Sequence, residues 1–160
     1  MIILGIDPGY AIVGYGVIEF KSNRFSVVDY GAITTNAGTP FERRLELIYD
    51  DLNLLMGKFH PEAMSIEKLF YNTNAKTVID VAQARGVTVL AAKKNNIPIF
   101  EYTPLQVKQS VVGYGRAEKK QVQEMTRIIL KLAKIPKPDD TADALAMAIC
   151  HAHASGSLMG

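Results

Sequence analysis

The order of strand-like and helix-like segments constrains the fold of this chain more than any other feature of its sequence. Three runs rich in β-branched and aromatic residues open the chain, and Lys21-Ser22-Asn23 joins the second to the third as a hairpin-like connection. Helical and strand-like segments then alternate. This order predicts an α/β fold with one mixed five-stranded sheet, three antiparallel strands followed by two parallel ones, and helices on its faces. The predicted strands span residues 2–7, 13–20, 24–33, 63–67 and 97–102.

Apolar residues at helical spacing predict helices between and after these strands. The first follows Thr39-Pro40-Phe41-Glu42, which combines a capping box with proline at the first helical position, and it ends near Met56. A helix that begins after Pro104 is broken at Gly113-Tyr114-Gly115. The chain lacks an evident linker, so residues 1–154 are expected to form one domain, followed by a frayed tail over 155–160. Further helices are expected over about 75–94, 117–133 and 139–152.

Length and composition narrow the class of protein. A chain of 160 residues with 48% hydrophobic residues suits a single domain with its own core. The apolar run at the N-terminus is too short for a signal peptide, and no stretch approaches the ~20 apolar residues of a membrane span. Cys150 is the single cysteine, so no intrachain disulfide can form. These features predict a cytoplasmic location.

Positive charge is concentrated in one part of the chain. The segment 104–137 carries eight Lys and Arg residues against two Glu residues, although the whole chain has a net charge of only +2. A basic strip on a nearly neutral protein suggests a polyanionic partner. A solvated helix face explains the same charges equally well without any partner. The eight residues are Lys108, Arg116, Lys119, Lys120, Arg127, Lys131, Lys134 and Lys137.

Two acidic residues end strands that are otherwise apolar. Asp7 follows the run 2–6, and Glu67 follows the run 64–66. A buried carboxylate is costly unless it is paired or binds a metal ion. For each acid taken alone, the simpler interpretation is that it marks the point where the strand leaves the core for solvent.

A third acidic element opens the last predicted helix. Asp140 and Asp143 are three residues apart and project from one helix face, whereas Asp139 can serve as the helix cap. If that face meets the ends of the first and fourth strands, the carboxylates of Asp7, Glu67, Asp140 and Asp143 converge. Small residues would let the helix lie close to the sheet; they are Ala142, Ala144, Ala146 and Ala148.

Converging carboxylates indicate a particular chemistry. Hard oxygen donors without a nearby cysteine or histidine favour Mg²⁺ or Mn²⁺ over zinc. Such clusters hold two ions about 3.5–4 Å apart, which activate a water and stabilise the leaving oxygen in phosphodiester hydrolysis. The four acids therefore suggest a metal-dependent nuclease.

Several blocks of the sequence, from Ile6-Asp7-Pro8-Gly9 near its start to Asp140-Thr141-Ala142-Asp143 near its end, form a specific pattern. Taken together, these blocks resemble one family, the RuvC Holliday-junction resolvases. The resemblance extends in order from residue 2 to about residue 153. Tyr10-Ala11-Ile12-Val13 is more apolar than the polar stretch expected there, which puts a substrate contact at these positions in doubt but leaves the metal site unaffected. The blocks are Ile6-Asp7-Pro8-Gly9, Gly14-Tyr15-Gly16, Ile66-Glu67 with Phe70, Gln83-Ala84-Arg85-Gly86, Gln106 to Gly113, and Asp140-Thr141-Ala142-Asp143-Ala144-Leu145-Ala146.

The resemblance implies a ribonuclease H-like fold and a homodimer that cuts four-way DNA junctions by paired, symmetric nicks during homologous recombination and DNA repair. It also implies a branch-migration complex of the RuvA and RuvB type as a partner. The family's catalytic metal ligands, for two Mg²⁺ ions, fall on Asp7, Glu67, Asp140 and Asp143. Its DNA-facing lysines fall on Lys108 and Lys119, its base-stacking aromatic falls on Phe70, and the basic segment adds Arg116 and Lys120 as expected DNA contacts. Gly86 would permit close helix approach across the dimer interface.

Other classes of protein share parts of this pattern. Actin-like ATPases also carry Asp-x-Gly on a first strand, but they need two such domains around a nucleotide, and this chain supplies one. A nuclease of the same fold that acts on another substrate shape, such as a ribonuclease H or a flap nuclease, remains an alternative. A DNA-binding protein without catalysis gives no reason for acids at two strand ends and on the last helix.

Overall fold

The computed structural model of the protein describes residues 1–68 and 75–158. Strands and helices follow the predicted order along the chain. They are β1 (Ile2–Asp7), β2 (Ile12–Lys21), β3 (Arg24–Thr34), α1 (Phe41–Phe59), β4 (Ala63–Glu67), α2 (Ala75–Lys94), β5 (Ile99–Tyr102), α3 (Pro104–Val111), α4 (Lys119–Ile129) and α5 (Asp139–Leu158).

The strands form one five-stranded sheet in the order β3-β2-β1-β4-β5. Strand β2 pairs antiparallel with β1 and with β3, whereas β4 pairs parallel with β1 and with β5. Ser22 and Asn23 adopt positive φ angles of 53° and 59° in the β2–β3 turn, which matches the right-handed twist of a tight hairpin. The predicted mixed sheet, three antiparallel strands followed by two parallel ones, is confirmed.

Strand β1 lies at the centre of the sheet, and both of its faces are buried. Successive side chains of a strand point to opposite faces, so Ile3 packs with α3, α4 and α5, whereas Leu4 and Ile6 pack with α1 and α2. Asp7 is an even number of residues from Ile3 and therefore faces the α5 side. The continuous apolar run before Asp7 is what a strand covered on both faces requires.

Helix α5 packs unusually close to the centre of the sheet. A Cβ at Gly5 would lie 1.9 Å from the carbonyl oxygen of Ala144, and a Cβ at Gly16 would lie 2.5 Å from the Leu145 side chain. The Ser65 hydroxyl donates a hydrogen bond of 2.7 Å to the Met147 carbonyl. Small residues on the helix were expected to allow this approach, and the glycines of β1 and β2 provide the matching space on the sheet.

Helix α1 differs from its prediction at both ends. It begins at Phe41 with Pro40 at the N-cap position, and its N-terminus has no side-chain cap, so the capping box assigned to Thr39 is wrong. It continues through Gly57 to Phe59, because the end of the helix is set by the left-handed conformation of His60 (φ 48°) rather than by the glycine.

Three other elements shift their bounds. Helix α4 begins later than expected, after a capping box between Glu118 and Gln121, and it ends at Ile129, before Lys131 with a positive φ of 56°. Strand β5 begins at Ile99 rather than at 97. Helix α5 continues past 152 to Leu158, into the segment for which a frayed tail is predicted. Among the helices of the described ranges, none has both the length and the apolar character that crossing a membrane requires.

Candidate active site

The sheet and α5 bring the four predicted acids to one place. Ile6 of β1 pairs with Ile66 of the parallel strand β4, so Asp7 and Glu67, the last residues of these strands, lie at the same end of the sheet. Gly14 lies opposite Asp7 on β2, and a Cβ there would lie 2.0 Å from the carbonyl oxygen of Asp140. The first turns of α5 are therefore held against the end of β1.

A cavity of about 290 Å³ opens at this point. Asp7, Glu67 and Asp143 supply its acidic wall, and Lys108 and Lys119 supply a basic one. The remainder of the lining is apolar and comes from α3, α4 and α5: Pro104, Val107, Val122, Ala146 and Met147. The cavity thus combines carboxylates, ammonium groups and an apolar floor. Asp7 and Glu67, which could each have marked a strand's exit into solvent, instead line the same cavity.

The Asp7 carboxyl is the most perturbed group of the cluster. Burial raises its pKa to about 8, and the negative charges of Asp143, Asp140 and Glu67 act in the same direction. A side-chain hydrogen bond with Asp140 also favours the protonated form. In the absence of a cation, Asp7 therefore holds a proton at neutral pH.

Lys119 offsets part of the negative charge. Its Nζ lies 3.5 Å from Oδ2 of Asp143 and 3.8 Å from Oδ2 of Asp139. Burial raises the pKa of Asp143 and of Glu67, and Lys119 opposes both shifts. Burial is the largest single influence on Lys119 and lowers its pKa, but Asp143, Asp139 and Asp7 together raise that pKa above its ordinary value. Lys119 is therefore the counterion of the acidic wall.

Asp139 belongs to this charge network rather than to a helix cap. It is the first residue of α5, one position inside the cap that the sequence assigned to it. Its carboxylate accepts a hydrogen bond of 2.9 Å from Lys137 Nζ and also lies near Lys119. Asp139 is thus a second carboxylate partner of Lys119 beside Asp143.

The chemistry of the donor set fits a divalent cation. Within residues 1–68 and 75–158, no three acidic, histidine or cysteine side chains are already arranged as a closed ligand set. The four carboxylates are nevertheless neighbours, and burial together with their mutual repulsion keeps the pKa of Asp7 high. A hard cation among carboxylate oxygens would relieve that repulsion, and small rotations of the side chains, with Lys119 leaving Asp143, would make the oxygens available.

The other predicted site residues fall into three groups. Lys108 lies on the wall of the cavity together with Lys119. Arg116 and Lys120 are exposed. Arg116 precedes α4 and Lys120 lies in its first turn, so both are near Lys119 in the chain, at the N-terminal end of this helix. Phe70 lies outside the residues that the structure describes.

Sequence reasoning missed one residue that supports the acidic wall. Arg85 of α2 forms an ion pair of 3.1 Å with Glu101 of β5, and its Nε lies 3.5 Å from the Glu67 carbonyl oxygen, to which it donates. The contact fixes the backbone at the end of β4, where Glu67 enters the cavity. The sequence did offer a signal for this residue, because Arg85 lies within Gln83-Ala84-Arg85-Gly86, one of the blocks that carry the family resemblance.

Comparisons with known proteins give one consistent result. Residues 3–151 match the family model described as crossover junction endodeoxyribonuclease RuvC. The proteins of that name from Ruminiclostridium cellulolyticum and Clostridioides difficile are 62% and 59% identical, and the alignments cover 100% and 97% of this chain and 98% and 92% of theirs. The RuvC structure of Thermus thermophilus superposes with a TM-score of 0.91 at 32% identity, over 98% of this chain and 96% of that one. A second T. thermophilus RuvC structure, in complex with a Holliday junction substrate, superposes with a TM-score of 0.90 at 30% identity over the same shares.

Proposed function

This chain belongs to the RuvC family of crossover junction endodeoxyribonucleases, with the ribonuclease H-like fold of its T. thermophilus relative, and we propose that it resolves four-way DNA junctions. The observation that carries the proposal is the convergence of Asp7, Glu67 and Asp143 beside two lysines in one cavity, with Asp140 hydrogen-bonded to Asp7. The substrate is carried over from the relative whose structure contains a Holliday junction. The products would be paired, symmetric nicks, and the cellular roles would be homologous recombination and DNA repair in the cytoplasm.

The four carboxylates would hold two Mg²⁺ ions, for which Mn²⁺ would substitute. When bound, such ions supply positive charge that polarises a scissile phosphate and lowers the pKa of water. Asp7 must lose the proton that burial and its neighbours retain, and Asp143 must separate from Lys119. Both changes would make carboxylate oxygens available in the cavity. Each would need the positive charge of a bound ion, which would replace the proton on Asp7 and the Lys119 ammonium group beside Asp143.

The two lysines of the cavity would contact the DNA backbone. Once Lys119 leaves Asp143, its ammonium group and that of Lys108 would both be available to bind phosphate oxygens of a strand in the cavity. Arg116 and Lys120 extend the basic surface from the cavity along the start of α4. Such contacts orient the DNA without reading its sequence.

We also propose that the protein acts as a homodimer through α2. Ile79 and Leu90 of this helix are 65% and 52% exposed, and Gly86 has open space around its Cα. These residues are 7 and 4 positions apart, so they share one helix face, and a glycine at its centre allows two backbones to approach. A twofold axis at this face would give two equivalent sites, as symmetric nicking requires. A branch-migration complex of the RuvA and RuvB type would be a further partner.

The experiment that tests this function compares substrates of different shape. The protein is incubated with a mobile four-way junction, a linear duplex and an RNA–DNA hybrid, each with Mg²⁺ or with EDTA. Paired nicks at symmetric positions of the junction, absent with EDTA and absent from the duplex, are expected. Cleavage of the hybrid in preference to the junction would contradict the proposal and would indicate a ribonuclease H activity on the same fold.

A further inference from the structure

The connection between α3 and α4, two helices that line the cavity, presents an exposed aromatic ring. Tyr114 lies in this connection and is 47% exposed. The two helices that it joins both line the cavity, α3 through Val107 and Lys108 and α4 through Lys119. Single exposed apolar side chains are common on protein surfaces, so the exposure of Tyr114 gains meaning only from the contacts that hold the ring.

The phenol of Tyr114 is held by a residue that also caps α4. Gln121 Nε2 donates a hydrogen bond of 2.6 Å to the Tyr114 hydroxyl, and Gln121 Oε1 accepts one of 2.7 Å from the Glu118 backbone N–H. The Glu118 side chain in turn accepts from the Gln121 backbone, which completes the capping box. One side chain therefore couples the position of the ring to the helix that carries Lys119.

The backbone around the ring is also constrained. Gly113 has a φ of 107°, which side-chain-bearing residues rarely adopt. Leu105 packs directly on Gly115, since a Cβ at Gly115 would lie 2.2 Å from the Leu105 Cδ1 atom. The backbone is thus constrained on both sides of the exposed ring.

Three cationic residues follow the ring closely in the chain. Arg116 follows it by two residues, and Lys119 and Lys120 occupy the first turn of α4, one helical turn or less from Gln121. An aromatic ring among cations is the arrangement by which proteins bind unpaired nucleotides, because the ring stacks on a base while the cations bind the backbone. The same ring has no such partner on a fully paired duplex.

We propose that Tyr114 stacks on an unpaired base of the junction next to the strand held in the cavity. This inference rests on the proposed function, because it assigns the ring a partner that exists only where base pairing is interrupted. The α3–α4 connection would thus contribute a second base-stacking residue, Tyr114, in addition to the one expected at Phe70.

Binding assays without cleavage test this role. Junction and duplex affinities are measured in EDTA for the unmodified protein and for Tyr114→Leu, which retains apolar bulk but has no π face. We expect junction binding to weaken roughly 5- to 100-fold, and duplex binding to change less than about twofold. Tyr114→Phe, which keeps the ring but loses the Gln121 hydrogen bond, is expected to restore most of the junction affinity. Unchanged junction affinity in Tyr114→Leu, or equal weakening on both DNAs, would overturn the proposal.

A direct measurement of stacking uses the absence of tryptophan from the sequence. Tyr114→Trp introduces a single indole, whose emission should be quenched by the junction and not by the duplex. Val28→Trp is the matched control, because Val28 is 44% exposed on the edge strand β3, two strands away from Asp7. Junction binding without quenching at position 114, or the same quenching in both variants, contradicts stacking. If the unmodified protein itself prefers duplex over junction, the proposed function fails instead, and the two failures are therefore distinguishable.

Discussion

Replacement of Asp7 by asparagine should stabilise the protein when no divalent cation is present. Burial and neighbouring carboxylates raise the pKa of Asp7 to about 8 in the folded protein, whereas an unfolded chain would titrate near the ordinary value of 3.8. Between these two values the folded state binds a proton that the unfolded state has lost. Stability from this group is therefore fully present below the unfolded pKa and declines as pH rises towards the folded pKa.

The magnitude follows from the same interval. Each pKa unit corresponds to about 1.4 kcal/mol, so the interval from the unfolded pKa to pH 7 sets an upper limit of about 4 kcal/mol. Asparagine cannot ionise but remains a polar side chain in a buried position, so we expect a gain of roughly 1–3 kcal/mol at pH 7. For a chain of this size, that gain corresponds to an increase in Tm of roughly 2–12 °C.

Thermal unfolding in EDTA at pH 7 and at pH 4 measures this effect. Asp7→Asn should have the higher Tm at pH 7, and the difference should shrink at pH 4, where the unfolded chain also retains much of its proton. Mg²⁺ should then raise the Tm of the unmodified protein and have little effect on the variant. The matched control is Asp50→Asn on the exposed side of α1, for which a change within about 0.5 kcal/mol is expected. A Tm of Asp7→Asn in EDTA at pH 7 that is equal to or below that of the unmodified protein would refute the reasoning.

Three further predictions concern packing, charge and assembly. Gly5→Ala should lower the free energy of unfolding by about 1–3 kcal/mol or more, because the new methyl group would lie 1.9 Å from the Ala144 carbonyl oxygen. Gly38→Ala, where a Cβ meets nothing within 4 Å, should not lower it. Urea unfolding of both variants measures this difference, and equal stabilities would contradict the close packing of α5. Lys119→Met should reduce junction cleavage at least about tenfold and make junction affinity less dependent on salt, and a salt titration with an unchanged slope would exclude the phosphate contact. Leu90→Glu should shift a dimer to monomer in sedimentation experiments by placing a charge on the exposed α2 face, and an unchanged dimer would place the interface elsewhere.

The sequence by itself predicted most of the architecture, because the determining patterns are local. Alternation and apolar runs located all five strands, and the hairpin at Ser22-Asn23 follows from residues that tolerate positive φ. Helix ends were predicted less well. Pro40 occupies the cap position that Thr39 was expected to fill. Helix α5 continues to Leu158 because its last turns pack on β2; a Cβ built at Gly156 would lie 3.8 Å from the Phe20 ring. Such ends depend on contacts with distant parts of the chain.

For the candidate site too, some features could be predicted from the sequence and others depended on tertiary contacts. The acids could be identified from the sequence, since Asp7 and Glu67 end apolar strands and Asp140 and Asp143 share a helix face. Their electrostatic state could not, because the raised pKa of Asp7 results from burial and from carboxylates up to 136 positions away in the chain. The pairing of Lys119 with Asp143, the support of Glu67 by Arg85 and the orientation of Tyr114 by Gln121 are likewise products of packing. Local residue patterns thus determined which groups are available, and only the tertiary structure decided their distances, on which charge coupling and hydrogen bonding depend.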